Sequence, residues 1–168
     1  MKIRPETPDD IRTVHGINEA AFDTAGEADL VDALRREAAD KGEPLVSLVA
    51  EDDDGDVVGH ILFSRCLIGA TPAMCLAPMA VTPDAQRAGI GSALVRAGLA
   101  AVADAGERFV TVLGHPAYYP RFGFERASAH GVTCPLDVPD EAMMVAAVAG
   151  DPVPSGVIRY ADAFGIDA

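Results

Sequence analysis

The sequence predicts an α+β domain, a mixed sheet flanked by helices with one strand–helix–strand crossover at its centre. Three observations carry this. Two runs of apolar residues near the N-terminus keep helical spacing, Ile11/Val14/Ile17/Ala21 and Leu30/Val31/Leu34/Ala38. Short β-branched and apolar runs bounded by turn residues recur before and after them. At the centre, a strand-like run, a glycine-rich turn, an alanine-rich helix and the run "FVTVL" follow one another directly. With 168 residues the chain reads as one domain, 1–168, long enough to build a core.

Taken in order, "KIRP" is a short first strand, and "TPDD" opens a helix. Thr7 suits the cap, Pro8 the first helical position, and Asp10 completes a capping-box-like arrangement. Residues 27–42 form a second helix stopped by Gly42. Residues 44–51 and 56–69 are two strands joined by the turn "DDDG", the second apolar on both faces, as a central strand covered on both sides would be. Residues 73–83 are another strand, interrupted by Pro78, which implies either a bulge or lost pairing there. The helix of residues 90–105 ends at Gly106, and residues 108–115 form the next strand. "PAYYPRFGF" is a short helix or turn leading into a further strand, and residues 141–150 and 155–164 are two late strands.

Bulk properties exclude several functions. A formal charge of −13 disfavours general affinity for nucleic acid or anionic membranes. No apolar stretch is long enough to span a bilayer, and the first residues lack the apolar segment of a signal peptide, so a cytoplasmic location is expected. Cys66, Cys75 and Cys134 are odd in number and widely spaced, which suits reduced, packed thiols rather than a disulfide framework. The four histidines stand apart and no Cys-x-x-Cys occurs, so no structural zinc site is expected.

"QRAGIG", residues 86–91, stands where a strand hands over to a helix. A helix N-terminus presents unpaired N–H groups and the positive end of the dipole, and glycines let an anion approach the backbone closely. Phosphate is the natural ligand class. Two common phosphate motifs fail: no Gly-Lys-Ser/Thr is present, since the lysines are Lys2 and Lys41, and a dinucleotide fingerprint would need glycine at Leu94 and an acid closing "FVTVL".

Gln86, Arg87, Ala88, Gly89, Ile90 and Gly91 resemble instead the Gln/Arg-x-x-Gly-x-Gly/Ala loop of the GNAT superfamily of acyl-CoA-dependent N-acetyltransferases, with Ser92 in the first helical turn. Upstream, "LAPMAVTPDAQ" resembles the family's bulged fourth strand, and downstream "YYPRFGF" resembles its Tyr-x-x-Phe-Gly-Phe element. The resemblance implies a GNAT-like fold, mostly antiparallel and splayed at the fourth strand. It implies acetyl-CoA as donor, no metal, a diphosphate held by residues 86–92, and a pantetheine arm paired to Met79, Ala80 and Val81. β-Addition of an amide-containing arm to a free strand edge is physically sound. Arg87 either adds charge there or faces solvent.

The resemblance further implies direct transfer to a primary amine of a small molecule or protein, with Tyr119 near the departing thiolate. A phenol is a fit donor to that sulfur; Tyr118 is the competing neighbour. Many members place a glutamate on the fourth strand, and "MCLAPMAV" has none. A water relay, a base elsewhere (Glu27 or Glu51) or an amine already partly neutral are the alternatives, and Glu27 also suits a helix start for dipole reasons. His115 stands where an asparagine is common and is either a surface hydrogen-bonding residue or a base. A non-catalytic acyl-CoA sensor or scaffold is the alternative function, and a homodimer is compatible with the family.

Overall fold

Arg4 and Asp10 set the N-terminal corner. The computed structural model describes residues 1–166, and begins with strand β1 (Lys2–Pro5). The Arg4 guanidinium holds both oxygens of Asp10 at 2.7 and 3.0 Å, while Asp10 Oδ2 also accepts the Thr7 N–H at 2.7 Å. Those bonds hold the Asp10 carboxyl well below the usual carboxylate range, Arg4 contributing most. The expected capping residues thus start the first helix, through a short 3-10 turn at Pro8–Asp10. Helix α1 (Ile11–Phe22) ends at Asp23 in the left-handed region, and α2 (Gly26–Lys41) ends at Gly42 with φ +65°.

Strand β2 (Leu45–Glu51) pairs antiparallel with β3 (Val57–Ile68) across the acidic turn. There Asp52 accepts the N–H groups of Asp54 and Asp56, at 3.0 and 2.9 Å, which is why an acid-rich turn works here. β3 is buried on both faces, as its apolar sequence predicts. Ile61 and Phe63 join the cluster under the third helix, and Leu62 packs with Val14, Val31 and Leu34 of α1 and α2.

Strand β4 (Thr71–Val81) starts earlier and ends earlier than the sequence suggests. Its register against β3 jumps from Phe63↔Leu76 to Ile61↔Met79, so Ala77 and Pro78 carry one residue in excess. Both consequences of Pro78 occur, one on each side of the strand. Towards β3 there is a bulge; towards β5 (Phe109–Leu113) pairing stops after Met74↔Val110 and Cys75↔Thr111. That parallel pair lies within an otherwise mostly antiparallel sheet of order β1-β2-β3-β4-β5-β8-β6, in which β6 is Glu125–Arg126 and β8 is Met143–Ala147. The splay predicted for the fourth strand is therefore present.

Helix α3 (Ile90–Asp104) crosses between β4 and β5 and buries Leu94, Val95 and Val102. A Cβ on Gly98 would lie 2.4 Å from the Phe63 ring, so glycine is what lets helix and central strand meet this closely. The late strands are shorter than predicted: β8 (Met143–Ala147) pairs with β5, and β9 (Gly156–Arg159) with the end of β3. The flanking residues of those segments, Asp140–Ala142 and Asp162–Phe164, close into 3-10 turns instead. The further strand after "PAYYPRFGF" is β6 (Glu125–Arg126), and β7 (Val132–Thr133) was not anticipated. Among the described residues, no helix is long and apolar enough to cross a membrane.

Candidate active site

The loop between β4 and α3 adopts a backbone that few sequences tolerate. Arg87 and Gly89 both have positive φ, +67° and +81°, with Gly89 at the helix cap. Alternation of this kind turns successive N–H groups towards one side and makes an anion-binding concavity. A cavity of about 190 Å³ opens there, lined by Gln86, Arg87, Gly89, Ile90 and Gly91. Val81, Ala85, Ser92 and Tyr118 complete its walls. Ala88 is exposed and lies off the lining. Gln86 is anchored: its Nε2 donates to the Val81 carbonyl at 3.0 Å, tying the loop to the strand end. Ser92 Oγ and the Tyr118 hydroxyl lie 3.0 Å apart, and the Arg121 guanidinium stacks over the Tyr118 ring at 5.0 Å.

Met79, Ala80 and Val81 pair with Ile61, His60 and Gly59 on the β3 side. Towards β5 they have no strand partner among the described residues. Ala80 is buried, so only its backbone is available to a ligand.

Next along the splay is a cleft of about 330 Å³. Tyr119 forms part of its wall, with Leu76, Ala77, Pro78 and Met79 from β4. The Tyr119 ring lies across Gly114, where a Cβ would approach to 2.3 Å, so the glycine fixes which of the adjacent tyrosines turns inward. Tyr119 is 8 % exposed, whereas Tyr118 faces the loop cavity. Burial, with Tyr118 adding to it, pushes the Tyr119 phenol up to about 12, so it stays protonated at neutral pH.

The candidate bases separate cleanly. Glu27, in the first turn of α2, lines the cleft with Phe22 and Leu30. Glu51 does not: Arg4 Nε binds its Oε1 at 2.6 Å, at the other side of the sheet. His115 is exposed, and its Nδ1 accepts the Ala117 N–H at 3.2 Å, a turn-closing bond. Burial raises the thiols of Cys66, to about 12, and of Cys75, which marks both as packing groups. Met143 and Met144 are buried as well.

This geometry has relatives. Residues 43–126 match the family model described as an acetyltransferase (GNAT) domain. The chain is 37% identical over 162 residues to the uncharacterized N-acetyltransferase YjhQ of Escherichia coli (strain K12), covering 91% of this chain and 88% of that protein. The chain belongs to the GNAT acetyltransferase family. It is 33% identical to the uncharacterized N-acetyltransferase YhbS of the same strain, over 98% of both. Among solved structures, GNAT-family YhbS from Escherichia coli in complex with CoA superposes with a TM-score of 0.89 at 32% identity, covering 99% of this chain and 93% of that one. A GNAT-family acetyltransferase from Brucella melitensis in complex with acetyl-CoA superposes with a TM-score of 0.79 at 36% identity, covering 97% of each. The cleft also takes in Phe22 and Leu113, and Gly114 sets the tyrosine on its wall; nothing in their local sequence marks these residues, whose place is set by tertiary structure.

Proposed function

We propose that this acetyltransferase takes acetyl-CoA as donor and passes the acetyl group directly to a primary amine. One observation carries the reading: the loop cavity and the Tyr119 cleft lie on either side of Met79, along the side of β4 that faces away from β3. Met79 lines the cleft, and its Cε would lie 3.5 Å from a Cβ placed on Gly91 of the loop. A ligand with a diphosphate at one end and an acyl thioester at the other fits that path. The loop N–H groups around Gly89, Ile90 and Gly91 receive the diphosphate, with Arg87 and Ser92 beside it. The backbone of Met79, Ala80 and Val81 pairs with the pantetheine amides as an added strand. The CoA and acetyl-CoA complexes of the two similar structures support the same donor.

In the transfer, the neutral nitrogen attacks the thioester carbonyl, the C–N bond forms and the C–S bond breaks. The sulfur leaves as a thiolate and takes the Tyr119 proton, which solvent replaces; the proton lost by the nitrogen goes to solvent. A phenol kept protonated by burial is suited to that donation. Residues 1–168 are read as one such domain, working in a reducing cytoplasm where its three free cysteines stay reduced.

Calorimetric titration with acetyl-CoA, CoA and ATP tests the donor. Saturable binding of both CoA species, with ATP much weaker, is expected. Gly91→Asp should weaken acetyl-CoA at least tenfold, because it puts a carboxylate beside the diphosphate. The nearest atoms to a Cβ at Gly91 are the Tyr118 hydroxyl at 3.4 Å and the Met79 methyl at 3.5 Å, ordinary contacts, and far-UV circular dichroism checks that the variant is folded. Unchanged affinity in the folded variant would remove the loop from the donor site.

A further inference from the structure

Two cavities adjoin at the opened seam between β4 and β5. One is the Tyr119 cleft. The other, of about 200 Å³, lies beneath the C-terminal segment, where Leu136, Tyr160, Phe164 and Ile166 form its walls. Leu76, Ala77 and Leu113 line both. Phe22 and Leu113 remain 38% and 44% exposed, apolar surface left open at the cleft. Glu27 is the charged group on these walls; among the described residues no Lys, Arg or His lines either cavity. Its recorded side-chain bond is a long one, 3.4 Å from the Thr24 hydroxyl, so its carboxylate is open to a cation.

We infer that the acceptor is a primary amine carried on an aliphatic or aromatic body without a carboxylate, its ammonium paired to Glu27 and its body lodged under Leu136 and Phe164. This rests on the acetyl-transfer reading above and names the substrate class for it. A carboxylate or phosphate on the acceptor would be desolvated with no counter-charge. A polyamine or amino sugar would bring several further polar groups against Leu76, Leu113 and Phe164, where the Thr111 and Tyr160 hydroxyls are too few to pair with them. An alkyl or aryl body instead gains from every group it buries, about fourfold in affinity per methylene. Pairing with Glu27 precedes chemistry; the bound ammonium must still lose a proton to water before its nitrogen attacks.

The test begins with acetyl-CoA binding by calorimetry, then measures kcat/KM by thiol release with n-propylamine to n-heptylamine, 2-phenylethylamine, phenylalanine, spermidine and glucosamine. Expected are a rise of about fourfold per methylene until the cavity is filled, and at least a tenfold preference for 2-phenylethylamine over phenylalanine, spermidine and glucosamine. Glu27→Gln should raise the amine KM at least tenfold with the acetyl-CoA KM unchanged, and Glu27→Asp should recover part of it. Leu136→Trp should shorten the preferred alkyl chain. A flat chain-length profile, faster turnover of spermidine or glucosamine, or acetyl-CoA binding with none of these amines accepted would overturn the assignment. Absence of acetyl-CoA binding would instead overturn the donor reading itself, which separates the two failures.

Discussion

Tyr119→Phe should lower kcat by about 10²–10⁴-fold, the range expected when a positioned proton donor is removed. Acetyl-CoA affinity should stay within about twofold, because the ring, its packing over Gly114 and its contacts with Tyr118 and Phe124 are all retained. The comparison that decides is Tyr118→Phe. That hydroxyl meets Ser92 at the loop cavity, so its loss should act on acetyl-CoA binding and leave kcat nearly intact. Single-turnover thiol release with a saturating amine reads the two apart. Equal kcat for Tyr119→Phe and the parent protein would strip Tyr119 of its assigned role.

Acidification should destabilise the protein through one buried histidine. His60, on the central strand, is fully buried; Asn18 Nδ2 from α1 approaches its Nδ1 at 3.2 Å and Ser47 Oγ from β2 its Nε2 at 2.9 Å. The amide donates to Nδ1, so the ring proton sits on Nε2 and is given to Ser47. A second proton has nowhere to go. Burial, with the nearby Arg35 charge adding to it, lowers the ring to about 3 from its ordinary 6.5. The unfolded chain therefore binds a proton at a higher pH than the folded one. Stability is complete above about 6.5 and falls by about 1.4 kcal/mol per pH unit below it, until the folded ring itself titrates. The carboxyl of Asp10, held low by Arg4, contributes only below about pH 4. Urea unfolding at pH 7.5, 6 and 5 isolates the histidine, and His60→Gln should flatten the profile across that window. Parallel profiles would show that His60 does not govern it.

What was legible in the sequence was local. The cap at Thr7–Asp10, the turn at Asp52–Gly55 and the loop at Gln86–Gly91 each draw on neighbouring residues; spacing reveals the first two, and the third is read through its resemblance to the GNAT loop. Pro78 announced a disturbance in β4, because a missing N–H is a local fact. The acceptor side was not legible. Its walls come from Phe22, Leu76, Leu113, Leu136 and Phe164, five apolar residues on separate segments, none unusual where it stands. Long-range pairing also separates the two candidate glutamates. Arg4 removes Glu51 from consideration through a contact spanning 47 positions, and the α1–α2 packing carries Glu27 to the cleft. The small strands β6 and β7 have two residues each and are held by their partners rather than by any pattern of their own.

The two register pairs that join β4 to β5 have a thermodynamic consequence. The sheet is two leaves joined at Met74 and Cys75, and beyond that point β4 has no partner on its β5 side among the described residues. On the proposed reading a donor bound there would act as a missing strand, and whatever binds only the folded chain raises its stability by mass action. At a hundred times its dissociation constant that gain is about 2.7 kcal/mol. The melting temperature of this protein should therefore climb with acetyl-CoA concentration, read by a thermal scan in the presence and absence of ligand. In a cell, the lifetime of the folded chain would then follow the supply of its own donor.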